Sequence, residues 1–462
     1  MIRMIILQIW NQRRQNLWIW LELGVLSAFL WIAIDPLFTM VCLKTVPSGL
    51  ERDKVYYIRP TYDIVDNEWV TLEKHPAFVP AMDYLLTQLQ AHPMVEATCL
   101  GRSDFAPGSR NLPTGKYYRN LEHAKLDEGK ERDKWDHYTL AQDFIIPYVN
   151  GLEKWTDILY TLGMRDAISG EYLHVRPDTP AQKYYYVSAS MATRLYGTPN
   201  AKDSVIYNGE TYIPVGDSAV KDQTLYKIDA VYANVKACDF ETPYPSTFMA
   251  RNCNGDYMFY FGAFVRLKKG TDGEKFIEDV YQDVLKNCCI SPFSDFDVIP
   301  LKESINSFAE ESGANNVVRI QAALGFFGLL CVFLGVSGLF WVRCGERRQD
   351  IGVMRSMGAT HRMVNRQMLL EGSILLSAAF LAAMLFVAWY VHVNGYDMGL
   401  TTKTNVNWQE PDMSYWFNRP KLHLLAVTLI TYALMLLICL LATWMPVHRA
   451  TRILPSDALR DE

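Results

Sequence analysis

Arg343–Arg366 reads RCGERRQDIGVMRSMGATHRMVNR and is flanked on both sides by long apolar segments. It holds six arginines and no lysine. Polar backbone and charge of this density cannot lie in hydrocarbon, so the stretch sits outside a bilayer. An arginine excess in a short loop marks the cytoplasmic side. The apolar segments on either side are then membrane spans, and whatever lies beyond them is extracytoplasmic.

Upstream, residues 317–342 form the second expected span, running from outside to inside because its basic end is the loop. The long polar segment 44–315 must therefore lie on the outer side. The first span is expected over 17–43, longer than the roughly 20 residues a bilayer requires. Before it, residues 1–16 carry Ile2, Ile5, Ile6 and Ile9 at helical spacing among arginines, the pattern of an amphipathic helix in the inner interface. Downstream follow a third span at 369–393, an aromatic-rich outer loop at 394–420 and a fourth span at 422–446 ending on Pro446. The tail, 447–462, is basic at His448, Arg449 and Arg452, so both termini are expected in the cytoplasm.

Three features inside the spans stand out. Asp35 is an ionisable residue near the outer end of the first span, and such residues are functional candidates by default. It either reaches the outer interface or pairs with another helix. Pro36 is expected to kink that helix or loosen its last turns. In the second span, Gly328, Cys331 and Gly335 share one face, and small-residue faces let helices approach closely in lipid. These three are candidate dimer-interface residues, with packing inside the chain as the rival. Ser304–Gln321 has helical spacing and is expected to carry the second span outward as a stalk.

The outer segment reads as mixed α/β. Helices are expected at Ala81–Ala91 and Gly273–Leu285, and strands at Val95–Leu100, Tyr184–Ser188, Thr211–Val215, Tyr226–Asn234, Tyr257–Leu267 and Asp295–Pro300. β-α-β-like units thus lie at each end, with a second module inserted between them. The nine cysteines are too scattered for a disulfide scaffold, and Cys238–Cys253 is the candidate disulfide among the outer ones. With 50% apolar and 21% charged residues, the composition describes separate membrane and water-exposed parts. A net charge of -5 gives no sign of nucleic-acid binding. The sequence lacks G-x-x-x-x-G-K-[ST], H-E-x-x-H, C-x-x-C and G-x-S-x-G, so no catalytic, cofactor-binding or metal site is expected in this chain.

Three stretches resemble the MacB/FtsX-like permeases of ABC transporters. In Glu346–Glu371, Asp350, Ile351, Gly352, Val353, Met357, Gly358, Ala359 and Thr360 fill a pattern close to R-x-x-E-I-G-hydrophobic-x-x-x-hydrophobic-G-A-[ST]. Asp350 replaces the commoner Glu. In the tail PVHRATRILPSDALRDE, Pro446, Arg449, Ala450, Pro455, Ala458, Leu459, Arg460 and Glu462 match the family ending, while Val447 and Thr451 depart. Tyr185–Lys236 and Phe264–Gly273 look like parts of the family's outer domain.

The resemblance implies an α-helical membrane protein with four transmembrane helices (1+3) and a large α/β extracytoplasmic domain. That domain would have porter-like parts at about 50–105 and 240–302 and a sabre-like insertion at about 106–239. It implies a stand-alone permease without a fused ATPase, working with a cytoplasmic ABC ATPase dimer that holds the ATP and Mg. It also implies a second permease copy or paralogue and, in a two-membrane cell, a periplasmic adaptor and outer-membrane channel. The setting would be a bacterial inner membrane.

The loop supplies the physics of such a contact. Ile351, Val353, Met354 and Met357 can form an apolar helix side, with Arg347, Arg348, Asp350 and Arg355 as polar contacts and Gly352 within the motif. Gly358 can end that helix and Thr360 can cap the next. The rival reading is a helix held on anionic lipid. At the level of function, the leading expectation is ATP-driven export of peptides, antibiotics or lipoproteins by mechanotransmission. The alternative is an FtsX-like regulator of an extracytoplasmic hydrolase.

Overall fold

The structure, a computed structural model, describes residue 10 and residues 13–450, apart from 64–69, 104–113, 128–137, 177–183, 209–211, 216–217, 222–224, 237–242, 312, 347–352, 355 and 395–414. The first elements are α1 (Arg13–Thr45), β1 (Val55–Tyr62), α2 (Phe78–Ala91), β2 (Val95–Arg102), β3 (Thr114–Tyr118), α3 (Leu121–Asp127), β4 (Tyr138–Tyr148) and α4 (Ile158–Thr161). Then come β5 (Tyr184–Ser188), α5 (Ala189–Tyr196), β6 (Val205–Asn208), β7 (Tyr212–Val215), β8 (Ser218–Lys221), β9 (Leu225–Tyr232) and β10 (Ser246–Asn252). The last are β11 (Phe261–Leu267), α6 (Gly273–Asp283), β12 (Phe293–Pro300), α7 (Leu301–Glu311), α8 (Ala314–Glu346), α9 (His361–Asn394) and α10 (Pro420–Ala450). Two compact units result, one of long helices and one spanning Leu43–Gly313.

Among the described residues, four helices are long and apolar enough to cross a membrane, with spans Leu17–Thr45, Val318–Val342, His361–Val393 and Pro420–Arg449. One buried cluster draws on all four: Leu30 and Ile34 of α1, Val332 and Phe340 of α8, Leu376 and Ala379 of α9, Met435 and Ala442 of α10. Leu334, Leu381, Leu385 and Leu437 are exposed on the outside of the bundle, where lipid rather than water suits them. The protein is thus a four-span membrane protein with a large α/β domain.

Several expectations need correction here. Of the expected interfacial helix, residues 1–9 and 11–12 lie outside the described residues, and Arg13–Asn16 already belong to α1. α1 continues through Pro36 to Thr45, and α10, expected to end on Pro446, runs on to Ala450. Proline removes one helical bond, and the bonds of the flanking turns hold the helix across the gap. The stalk is interrupted: α7 stops before Gly313, which adopts φ +76°, and α8 starts at Ala314. A left-handed residue cannot sit within a continuous right-handed helix.

In the α/β unit, four strands form a sheet of order β12-β1-β11-β2, antiparallel at each pairing. The units β1–α2–β2 and β11–α6–β12 interleave, each taking a strand of the other between its own two. Two segments about 160 residues apart in the chain thus build one sheet. Phe78, Met82, Leu85, Leu86 and Leu89 of α2 are buried at helical spacing and share a core with Phe276 and Val280 of α6 and Ile58, Leu100 and Val265 of the strands. Tyr257–Leu267, expected as one strand, is a short 3-10 turn at Met258–Tyr260 followed by β11. The Gly273–Leu285 helix ends earlier, at Asp283, with a further 3-10 turn at Leu285–Cys288.

The inserted module is a closed barrel, β10-β4-β3-β6-β9-β5, with a two-stranded β7-β8 sheet beside it in sequence. Closure leaves no exposed sheet edge in the barrel. Its last strand, β10, comes from the region expected to be porter-like, because β10 pairs with β4 and β5 rather than with the four-stranded sheet. Inside, Asp143 accepts hydrogen bonds from Tyr117 (2.6 Å) and Thr247 (2.9 Å), which satisfies a buried carboxylate. α5 is closed at both ends, by Ser188 Oγ accepting from the Met191 N–H and by Gly197 at φ +75°.

Candidate functional site

The Arg343–Arg366 loop joins α8 to α9. Arg347, Arg348, Asp350, Ile351, Gly352 and Arg355 lie outside the described residues. The remaining four candidate coupling residues build a compact turn. The Met357 N–H donates to Val353 O at 3.1 Å, and the Ala359 N–H donates to Met354 O at 3.0 Å. Gly358 takes φ +98°, which only glycine adopts without strain, and the turn ends there. Thr360 Oγ1 then accepts from the Met363 N–H at 3.4 Å and opens α9.

The turn separates its apolar side chains. Met354 packs against the core of the helical bundle. Val353, Met357 and Met363 are exposed, Met357 at 76%. Arg362 and Arg366 are exposed on the same stretch. Flexible, polarisable methionines beside arginines suit a protein contact better than bulk water. Near this end of the bundle Arg449 lies over the Trp341 ring at 5.7 Å, and Trp444 stacks on His448 with ring centroids 5.1 Å apart. Aromatic and basic residues of this kind mark a membrane interface.

On the small-residue face of the second span, Gly328 and Gly335 meet α1 of the same chain. Gly328 is buried, and a Cβ there would lie 3.1 Å from the Phe29 ring of α1. Gly335 faces the Glu22 carboxylate of the same helix. Cys331, between them, is half-buried. The rival reading, packing inside the chain, is the one observed for Gly328 and Gly335, because the side chains of α1 fill the space the glycines leave.

The candidate disulfide Cys238–Cys253 lies in part outside the described residues. Cys253 is a free, buried thiol, and Cys238 lies outside the described residues. Cys253 Sγ donates to Arg251 O at 3.3 Å and lies 3.8 Å from the Arg102 guanidinium. Burial pushes this thiol up to about 11, offset only in part by the Arg102 charge, so it stays protonated and inert.

A second constellation, not anticipated from sequence, lies in the α/β unit where the chain leaves α1. Lys236 is 1% exposed, and its ammonium donates to Leu43 O at 2.6 Å, capping the last turn of α1. Its own N–H donates to Ser48 O at 3.0 Å. Gly49, at φ +73°, sits directly against the Asn234 carbonyl, where no side chain would fit. Close by, the buried Arg266 of β11 donates to Glu51 Oε2 and to Tyr160 O, each at 2.8 Å. Its guanidinium lies over the rings of Tyr160 (5.0 Å) and Tyr172 (4.5 Å). Tyr172 also donates to Glu51 Oε1 at 2.6 Å. A cavity of about 540 Å³ opens beside this joint. Of its lining cations, Lys54 pairs with Glu51 at 3.0 Å and Lys302 with Asp53 at 2.8 Å.

Glu51 carries a pH consequence. Burial raises its carboxyl, but hydrogen bonds from Tyr172 and Lys54 and the Arg266 charge outweigh that and hold it below the usual glutamate range. A carboxylate depressed on folding contributes stability above its ordinary value and loses it as pH falls through the lowered one. Thermal unfolding of the full chain should therefore shift downward in acid, and Glu51→Gln should flatten that part of the profile. An identical acid profile in the variant would rule Glu51 out as its source.

The helical unit defines the class of protein: residues 322–455, the last three spans with their loop and most of the tail, match the family model described as FtsX-like permease C-terminal. The chain therefore carries a region that matches the C-terminal domain of FtsX-like permeases. No curated protein matches the chain. Among solved structures, it is similar to a domain of a putative permease from Porphyromonas gingivalis, with 12% identity over 54% of this chain and 91% of that one, TM-score 0.27. It is similar to the periplasmic region of MacB from Actinobacillus actinomycetemcomitans, with 7% identity over 57% and 94%, TM-score 0.28. It is also similar to the extracellular domain of the noncanonic ABC-type transporter YknZ from Gram-positive bacteria, with 8% identity over 53% and 99%, TM-score 0.26. Likenesses of this size assign no function.

Proposed function

We propose that this chain is the membrane subunit of an ABC transporter of the MacB/FtsX type. A separate cytoplasmic ATPase dimer binds ATP and Mg and docks on the 343–366 loop. Its closure moves the spans, and the α/β domain on the outer side moves with them. In a two-membrane bacterium the chain sits in the inner membrane with both termini in the cytoplasm, beside a second permease copy or a paralogue. The cargo class is a peptide, antibiotic or lipoprotein handled outside the membrane, through a periplasmic adaptor and an outer-membrane channel.

The observation that carries this reading is the exposed apolar set Val353, Met357 and Met363 on a turn ended by Gly358 and Thr360, within the region that matches the permease family. A helical turn of this kind fits a groove in a protein partner. Arginines flanking it add charge complementarity and speed association. The arginine bias of the loop supports the orientation.

The test is co-purification of the full chain, solubilised in detergent, with an ABC ATPase from the same cell. ATP hydrolysis should rise several-fold when the permease is present. An ATPase that neither co-purifies nor responds to the permease would end the proposal. Recovery of an extracytoplasmic hydrolase in place of adaptor and channel would favour the regulatory alternative.

A further inference from the structure

The cavity beside the Lys236 and Arg266 joint has a chemistry of its own. At about 540 Å³ it falls within the range of sites for small molecules. Every residue that lines it belongs to the α/β unit, Leu43–Gly313. Its wall is the segment from Lys44 to Lys54, met by Lys302 of α7. Lys44 and Thr45 are also the last two residues of the first span, so the wall begins where the membrane-crossing helix ends.

The lining is basic. Lys44, Arg52, Lys54 and Lys302 stand against Glu51 and Asp53, which leaves two positive charges in excess. Glu51 is matched several times over, by Arg266 at 2.8 Å, Lys54 at 3.0 Å and Arg165 at 3.6 Å. Its charge is spent on them and does little to neutralise the cavity. Asp53 meets Lys302 at 2.8 Å, but the two side chains are 78% and 64% exposed. A pair this wet holds weakly and can open toward a second anion. Lys44 is exposed and makes no ion pair among the described residues. The carbonyl end of α1 would repel an anion, but the Lys236 ammonium covers it at Leu43 O. Val46 and Leu50 give the same wall an apolar part.

We propose that this cavity binds the phosphate headgroup of an anionic phospholipid in the leaflet on the side of the α/β unit, with Lys44 and Lys302 as its main contacts. Basic residues beside apolar surface at the end of a span suit a phosphate diester whose chains remain in the bilayer. A free phosphate ester shares the headgroup chemistry, and the place of Lys44 and Thr45 in the last turn of the span favours the lipid. The site depends on the spans and on the charge of the cavity. It does not depend on docking of an ATPase, so the two readings fail separately.

The test titrates the full-length chain in neutral detergent with dioctanoyl phosphatidylglycerol and with dioctanoyl phosphatidylcholine. Bound lipid is read by native mass spectrometry, and stabilisation by thermal unfolding. A lysine beside an anionic headgroup is worth about fivefold in affinity. Phosphatidylglycerol should therefore bind the wild type at least about fivefold more tightly than phosphatidylcholine. Lys44→Gln combined with Lys302→Gln should weaken phosphatidylglycerol binding by about twentyfold. Both lysines are exposed, so the lipid-free variant should melt close to the wild type. Lys421→Gln, an exposed lysine of α10 outside the cavity, should leave the affinity unchanged. Equal binding of the two lipids, wild-type affinity in the double variant, or an equal loss in Lys421→Gln would each overturn the site. Glycerophosphate that displaces the lipid at equal concentration would overturn the assignment to lipid. If the double variant does not fold, Lys302→Gln alone is read in the same way, with an expected loss of about fivefold.

Discussion

Met357→Asp is expected to abolish stimulation of the partner ATPase while the chain still folds and inserts. Met357 is 76% exposed and lies outside the buried cluster of the helical unit, so its removal leaves no cavity. At a protein contact the same side chain would bury, contributing about 1.5–3 kcal/mol. An aspartate in its place adds the cost of an unpaired carboxylate in an apolar groove. Together these predict a loss of stimulation of about a hundredfold. The measurement is ATP hydrolysis by the ATPase titrated with wild-type or variant permease in detergent. Stimulation retained within about twofold in a folded variant would remove the loop from the docking site. Met354→Asp, which the sequence offers as an equal test, is a poorer one. Met354 packs into the bundle, so a charge there would damage the fold as well as any contact.

The largest stability effect is expected from Arg266→Ala. Its side chain is 2% exposed, and it holds Glu51, the Tyr160 carbonyl and two aromatic faces at once. Removing one partner of a buried pair costs about 3–5 kcal/mol, and the lower end applies because the Glu51 side chain keeps 21% exposure. For a unit of this size about 3 kcal/mol lowers the melting temperature by roughly 6–12 °C. Arg266→Lys should recover only part of the loss, since an ammonium cannot make the planar fork or cover two rings. A fall of about one degree or less on the alanine change would mean that the joint does not hold this part of the domain.

The loop is where a partner would push. Within the α/β unit, the Lys236 and Arg266 constellation holds the segment that begins at Leu43. Lys236 grips the carbonyl end of the helix, and Glu51, a few residues on, is tied to β11. Polar groups buried this fully are costly when a bond is lost, so removing either cation should be felt in stability.

The spans were legible because a bilayer demands about 20 apolar residues in a row, and that demand is written locally. The turn at Gly358 and the cap at Thr360 were legible for a similar reason, since each depends on a residue's own backbone or hydroxyl chemistry. Strands with aromatic or β-branched alternation, such as Tyr184–Ser188, were found within a residue or two. Pro446 misled, because a helix held by packing on both sides of a proline survives one missing bond.

The sequence by itself determined four apolar spans, one large domain between the first two and an arginine-rich loop, because length, apolar periodicity and charge act along the chain. Only the tertiary structure decided the interleaved sheet, the closure of the barrel by β10, the burial of the glycine face against α1 and the meeting of Asp35 with His423. Those contacts join residues far apart in the chain, and no local spacing records which distant partner fills a given space.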